Sequence, residues 1–382
     1  MTRTIYFDHA ATTPMHPVAL EAYLDAARSG PLNPSSVHAC GRAARRILTG
    51  ARDRIAALLG CHPHELVFTG GGTESDNAAL LGAALAQRER GRTGIVTTAV
   101  EHAAVLETCR RLQEEGFRVT FLPADEHGVV RVADAEAAID ERTAVVSVMT
   151  VNNETGARQP VEEIGAVARS RGALMHTDAV QALGCEDIRL ADWPVDLASF
   201  SSHKIGGPPG VGLLYVREGT PFRPFLRGGS QERGRRAGTE NVPAVAAFAR
   251  ALELAAAERE ERTRQAGRVR DALLAGFAAE LPPGSWTVNG HPEKQAPHIL
   301  NVSFPGVSAQ TMVMSLDLEG VAVSAGAACS AGSLRPSHVL ASMGLPEERV
   351  RSAVRFSFGL GNTTEEAAKV AKLVATILAR LS

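Results

Sequence analysis

The sequence predicts an α/β protein: a mostly parallel central sheet with helices on both faces, plus a smaller α+β lobe. Three observations carry this. From about residue 60, short β-branched runs alternate with longer Ala/Leu/Arg-rich helical stretches, the pattern of parallel strands joined by crossover helices. The candidate polar motifs all follow predicted strands, which is where open α/β sheets bind ligands. A long Ala/Glu/Arg-rich stretch from about Ala244 to Glu280 then precedes a mixed region, as a connection between two lobes would.

Taken in order, Leu66–Phe68 reads as a strand and Gly70-Gly71-Gly72 as the turn into a helix from about Thr73. Ile95–Thr98 is the next β-branched run, followed by a helix through Arg110; Val119–Leu122 follows. Ala144–Met149 is a strand, then a loop, then a helix from about Val161. Leu174–Thr177, Leu197–Phe200 and Val211–Val216 complete the series. Beyond the long helical stretch, Ile299–Phe304 and Val354–Phe358 read as strands and Glu365–Leu381 as a final helix.

With 382 residues the chain can bury a large core. Its formal net charge of −2 sets up no overall field for nucleic acid or an anionic membrane. No apolar stretch is long enough to span a bilayer, and the N-terminus lacks the apolar core of a signal peptide, so the cytoplasm is the expected location. The five cysteines are odd in number and widely spaced, with no C-x-x-C, which argues against a disulfide framework or a zinc site. Cys40, Cys61, Cys109 and Cys185 read as small buried or helical residues.

Lys204 is the only lysine before Lys294 in a chain that otherwise uses arginine for positive charge. An amine forms a Schiff base with an aldehyde; a guanidinium does not. Gly72 and Thr73 lie where free N–H groups of a helix start favour an anion, although a Gly-rich turn with Thr73 as N-cap explains them equally well. Asp178 follows a strand and suits pairing with a protonated pyridine nitrogen, or a helix N-cap. Gln181 is placed to hydrogen-bond the same ligand. His102 can stack on a flat ring and exchange protons, or be a partly buried structural histidine. Asn153 is a loop amide, otherwise a turn former. Arg355 interrupts an apolar strand and needs an anionic partner, either a substrate carboxylate or a structural salt bridge. Cys329 stands among small residues, Ser324 to Ser333, which reads as an accessible thiol and a candidate nucleophile.

Several ordered motifs together resemble the cysteine desulfurases of the NifS/IscS type. They are Tyr6-Phe7-Asp8-His9-Ala10-Ala11-Thr12-Thr13-Pro14, Asn33-Pro34-Ser35-Ser36, Gly72-Thr73-Glu74-Ser75-Asp76-Asn77, Asn152-Asn153-Glu154-Thr155-Gly156, Ser201-Ser202-His203-Lys204 and Arg236-Ala237-Gly238-Thr239-Glu240-Asn241. The segment from Cys329 through Leu340 resembles the extended cysteine loop of group I members. The resemblance implies a pyridoxal phosphate enzyme of fold type I, of the class V aminotransferase family. It implies a large lobe over residues 15–256 and a small lobe over 1–14 and 257–382, with the cysteine loop at about 324–336.

It also implies roles. Lys204 would carry pyridoxal 5'-phosphate, His102 would stack on the ring, Asp178 would pair with its nitrogen and Gln181 would meet its phenolate oxygen. Gly72, Thr73, Ser201 and His203 would hold the phosphate, joined by Thr239 from the second subunit of a homodimer. Asn153 and Arg355 would grip the carboxylate of L-cysteine. Cys329 would take the sulfur as a persulfide and pass it to an Fe–S scaffold or another acceptor protein. No resident metal is implied, although Cys329 could transiently ligate an Fe–S cluster with a scaffold. Two departures, Ala327-Ala328 before Cys329 and Gly228-Gly229-Ser230 in place of a glycine run, remove no catalytic group. The rival readings are a selenocysteine lyase, an aminotransferase and a non-catalytic sulfur-transfer scaffold.

Overall fold

The computed structural model describes residues 4–326 and 336–381. The chain opens with β1 (Ile5–Tyr6), α1 (Pro17–Arg28) and α2 (Ala39–Leu59). Both helices precede the alternating region in which the sequence pattern is legible. In α2, buried Ala44, Leu48, Ala51, Ile55 and Leu59 recur every three or four residues and form one apolar stripe. Gly60 stops the helix in the left-handed conformation, at φ 62°.

The alternating region follows as β2 (Leu66–Thr69), α3 (Gly72–Arg88), β3 (Gly94–Thr98), α4 (Ala103–Glu114), β4 (Arg118–Leu122), α5 (Val132–Ala138) and β5 (Thr143–Ser147). It continues through α6 (Val161–Ser170), β6 (Leu174–Asp178), β7 (Leu197–Ser201) and β8 (Gly212–Val216). These seven strands make one sheet in the order β2-β8-β7-β6-β5-β3-β4. β4, β3, β5, β6 and β7 are parallel, and β8 runs antiparallel to both of its neighbours. Because β2 opposes β8, it points the same way as the parallel strands. The turn after β2 therefore opens on the same edge of the sheet as the loops after β3, β5, β6 and β7. β2, β5, β6, β7 and β8 are buried along their whole length, as a sheet covered on both faces requires.

The helical stretch from Ala244 to Glu280 is not continuous. It is α7 (Val242–Ala257) and α8 (Arg259–Glu280), broken at Glu258. No glycine or proline marks this break; the cause is tertiary. α7 packs against α1 and α2 on the sheet core, whereas α8 packs along α12.

The remaining elements are β9 (Thr287–Asn289), β10 (Ile299–Ser303), α9 (Ala309–Leu318), β11 (Val321–Ala322), α10 (His338–Ser342), α11 (Glu347–Arg351), β12 (Ala353–Ser357) and α12 (Thr364–Leu381). β9, β10 and β12 form an antiparallel sheet with β10 in the middle, and β1 pairs with β11. Phe7, Phe277, Phe304 and Phe356 are fully buried together in this second core. From β1 the chain runs on through Ala10 and Ala11 towards the edge of the large sheet. No described helix is long and apolar enough to cross a membrane.

Candidate active site

The carboxyl edge of the sheet carries a cavity of about 280 Å³. It is lined by Gly72, Thr73, His102, Asn153, Asp178, Gln181, Ser201, His203, Lys204 and Arg355, as well as by Asp76. Ten residues singled out from the sequence thus converge on one cavity from segments up to 283 positions apart (Gly72 to Arg355).

The turn after β2 shapes one end. Gly71 is the N-cap of α3 at φ 153°, ψ 179°, a conformation essentially reserved for glycine. A Cβ on Gly72 would sit 2.8 Å from Val180 Cγ2, so a side chain there would force Val180 to shift. The first N–H groups of the 17-residue α3 face this end and favour an anion. His203 stands beside it, with Nδ1 3.0 Å from Thr12 Oγ1. Burial, and then the Lys204 charge, lower its pKa to about 4, so it is neutral at neutral pH.

Lys204 follows β7. Its Nζ donates to Ala10 O at 2.6 Å and to Ala11 O at 2.8 Å. The N-terminal segment is tied down in turn: Thr13 N donates to His203 O and Thr13 Oγ1 to Lys204 O. Gln181 Nε2 also donates to Ala10 O, at 3.0 Å. Asp178 ends β6 with 6% of its surface exposed, and its Oδ1 accepts from Val180 N at 2.9 Å. The N-cap role open to Asp178 from the sequence thus takes the form of a local turn contact, while the carboxyl still faces the cavity. His102 caps α4; its Nδ1 accepts from Ala104 N, so a neutral ring carries its proton on Nε2.

Arg355 is 1% exposed. Nη1 donates to Asn153 O at 2.8 Å and Nη2 to Asp8 Oδ1 at 2.9 Å. Its Nε has no partner among the described residues. The salt-bridge alternative is therefore real, with Asp8 as the partner, yet the guanidinium also lines the cavity.

Thr239 does not line the cavity; it is exposed on the loop that precedes α7. That loop is fixed from two sides. Glu232 is buried and accepts from Arg52 Nη1 and from Phe68 N, each at 2.9 Å. Arg236 Nε donates to Glu74 Oε1, and Glu74 Oε2 accepts from Gly70 N. The loop thus sits next to the glycine turn without entering the site of its own chain. Two consecutive non-glycine residues, Glu232 and Arg233, take positive φ values of 48° and 58° there.

Cys329 lies outside the described residues. The chain on either side of it is moored at one point: Gly326 packs against the Glu154 carboxylate, and Ser337 Oγ donates to Glu154 Oε2. Glu154 adjoins the cavity residue Asn153. Among the other cysteines, burial pushes the thiols of Cys61, Cys109 and Cys185 up to about 12. Cys40 is helical but exposed, not buried.

The residues present fit pyridoxal phosphate. A glycine cradle at a helix start suits the phosphate, an amine suits the aldehyde, and a buried carboxylate suits the ring nitrogen. Sequence reasoning gave no role to Asp76 or to the Ala10 and Ala11 carbonyls. Asp76 was within reach of it, because a residue four places after Gly72 shares its helix face; the carbonyls leave no trace in side-chain pattern.

The family model for class-V aminotransferases matches residues 5–370. A relative from Bacillus subtilis (strain 168), described as putative cysteine desulfurase IscS 1, is 45% identical over 381 residues, covering 99% of each chain. Cysteine desulfurase IscS of Methanosarcina thermophila is 41% identical, covering 99% of this chain and 93% of its own. A solved structure described as a NifS-like protein superposes with a TM-score of 0.92 at 37% identity, covering 99% of this chain and 100% of its own.

Proposed function

This chain belongs to the class-V aminotransferase family, among its cysteine desulfurases, and from that membership we propose that it converts L-cysteine to L-alanine and passes the sulfur to Cys329. Its cofactor is pyridoxal 5'-phosphate. The observation that carries the reading is the convergence of Lys204, Asp178, His102, Thr73 and Arg355 on one cavity.

When bound, pyridoxal phosphate supplies an electron-withdrawing ring that lets an amino acid lose its α-proton. The chain supplies placement. Lys204 Nζ, held by two backbone carbonyls, is the amine that attaches the cofactor. Gly72, Thr73, Ser201 and neutral His203 would hold the phosphate, and Asp178 would pair with the ring nitrogen. His102 would lie against the ring, and its neutral imidazole, accepting from Ala104 N at Nδ1, would present a proton on Nε2. Arg355 and Asn153 take the substrate carboxylate, with Arg355 Nε as the donor that Asp8 and Asn153 leave open. The Cys329 thiolate attacks the substrate sulfur: the substrate C–S bond breaks, an S–S bond forms, and Cβ gains a proton to give alanine. The reaction needs a sulfur acceptor downstream; an Fe–S scaffold protein is the acceptor we propose.

The purified protein incubated with L-cysteine and a reductant should form alanine and sulfide in equal amounts. Alanine formed only when a keto acid is added would instead indicate transamination.

The exposed position of Thr239, on a loop pinned by Arg52–Glu232 and Arg236–Glu74, supports a homodimer in which Thr239 reaches the phosphate end of the second subunit's cavity. Light scattering should give a dimer at every concentration that supports turnover. A fully active monomer would refute the shared site.

A further inference from the structure

We propose that Asp76 is a positioning residue for Asp178: it holds the one proton of a two-carboxyl pair, so that a single negative charge remains and sits on Asp178. The role rests on reading the cavity as a pyridoxal phosphate site; the protonation of the pair does not.

Asp76 is on α3, 1% exposed, and lines the cavity. Carboxylate oxygens of Asp76 and Asp178 and a ring nitrogen of His102 all lie within 4.8 Å of one another. Two carboxylates so close in a buried site strongly resist ionising together. Their surroundings decide which one keeps the proton. Burial raises the pKa of Asp178, but His102, the Val180 N–H and Lys204 all favour its charged form. Asp76 has less such support and, among the described residues, no cation beside it. Burial pushes its pKa well above the carboxylate range, and Asp178 and then Glu101 push it further; only a hydrogen bond with Ser199 opposes them. Asp76 Oδ1 has no hydrogen-bond partner among the described residues.

The neighbours supply no countercharge. His176 Nε2 lies 3.7 Å from Asp76 Oδ1, but burial lowers that ring's pKa to about 3. Its nitrogens are used by Ser147 Oγ at 2.8 Å and Ser199 Oγ at 3.0 Å. Glu101 is pushed up to about 8, chiefly by burial, and accepts from Thr98 Oγ1 and Met149 N. β2, β5 and β7 contain no titratable side chain. On β8, the Tyr215 hydroxyl turns to Glu65, and on α4 the Cys109 thiol is pushed up to about 12 by burial. Asp76 is thus a neutral acid beside a charged one, and the cavity presents a basic ring nitrogen with one negative charge in one place.

The test is a pair of measurements on Asp76→Asn. Cofactor-free wild type and variant are melted from about pH 5 to about pH 8. A carboxyl whose folded pKa is raised stabilises the fold fully below its unfolded pKa, and that contribution is lost as pH rises through the folded value. Asparagine has no proton to lose. The Tm of Asp76→Asn minus that of wild type should therefore climb with pH, by about 2 °C or more over the range. The climb should shrink in an Asp178→Asn background, where the repulsion is gone. A difference that is flat or falls with rising pH overturns the proposal. In the second measurement, pyridoxal phosphate is titrated into the same proteins. Asp76→Asn should bind within about threefold of wild type near neutral pH, because a neutral side chain already stands there; a loss of tenfold or more overturns the proposal. Wild type that binds no pyridoxal phosphate would sink the cofactor reading instead, and the melting curves would still decide the protonation of the pair.

Discussion

Lys204→Ala is expected to lose the covalent cofactor link and at least about a thousandfold of L-cysteine turnover. The size of the effect follows from the lysine inventory. No other lysine precedes Lys294, which is exposed and borders a different cavity. Lys369 and Lys372 lie on α12 in the second core region. None can replace an amine that Ala10 and Ala11 hold at 2.6 and 2.8 Å. Lys204→Arg should fail as completely, because a guanidinium restores the charge without the chemistry. Borohydride reduction followed by intact mass, together with alanine release, reads both effects. A variant that keeps a reducible link and normal turnover would remove Lys204 from its assigned role.

The residues legible in the sequence were those whose type is unusual for their place. A solitary lysine after a strand, an arginine inside an apolar strand and a cysteine among small residues each contradict their surroundings, and function is one reason for such contradictions. The strands of the large sheet were legible because short β-branched runs between helices have a clear period. Other features depend on tertiary contacts that a single sequence does not display. The break at Glu258 lacks any glycine or proline, and it exists because α7 and α8 pack on different cores. β8 shows the same apolar run whichever way it points, so its antiparallel direction appears only in the sheet. The salt bridge of Arg355 with Asp8 joins residues 347 positions apart. Asp76 sits inside a motif whose glycines and threonine dominate its pattern, and its burial beside Asp178 becomes visible only once α3 lies against β6 and β7.

Cys329→Ala is the second change with a large expected effect. The variant should keep bound pyridoxal phosphate and still bind L-cysteine, because none of the cavity residues is altered. It should nevertheless lose roughly a hundredfold or more of its sulfide release, since the group that receives the sulfur is gone. Replacing Cys61, Cys109 or Cys185 should leave turnover nearly intact: burial holds each as an unreactive thiol near neutral pH. Cys40 is exposed on α2, and no cavity described above includes it. The most direct measurement is mass spectrometry of the cysteine peptides after brief exposure of the wild type to L-cysteine. The account predicts one added sulfur on the peptide that contains Cys329, and none there in Cys329→Ala. An unmodified Cys329 peptide from an enzyme that is turning over L-cysteine, or unchanged turnover in Cys329→Ala, would contradict it.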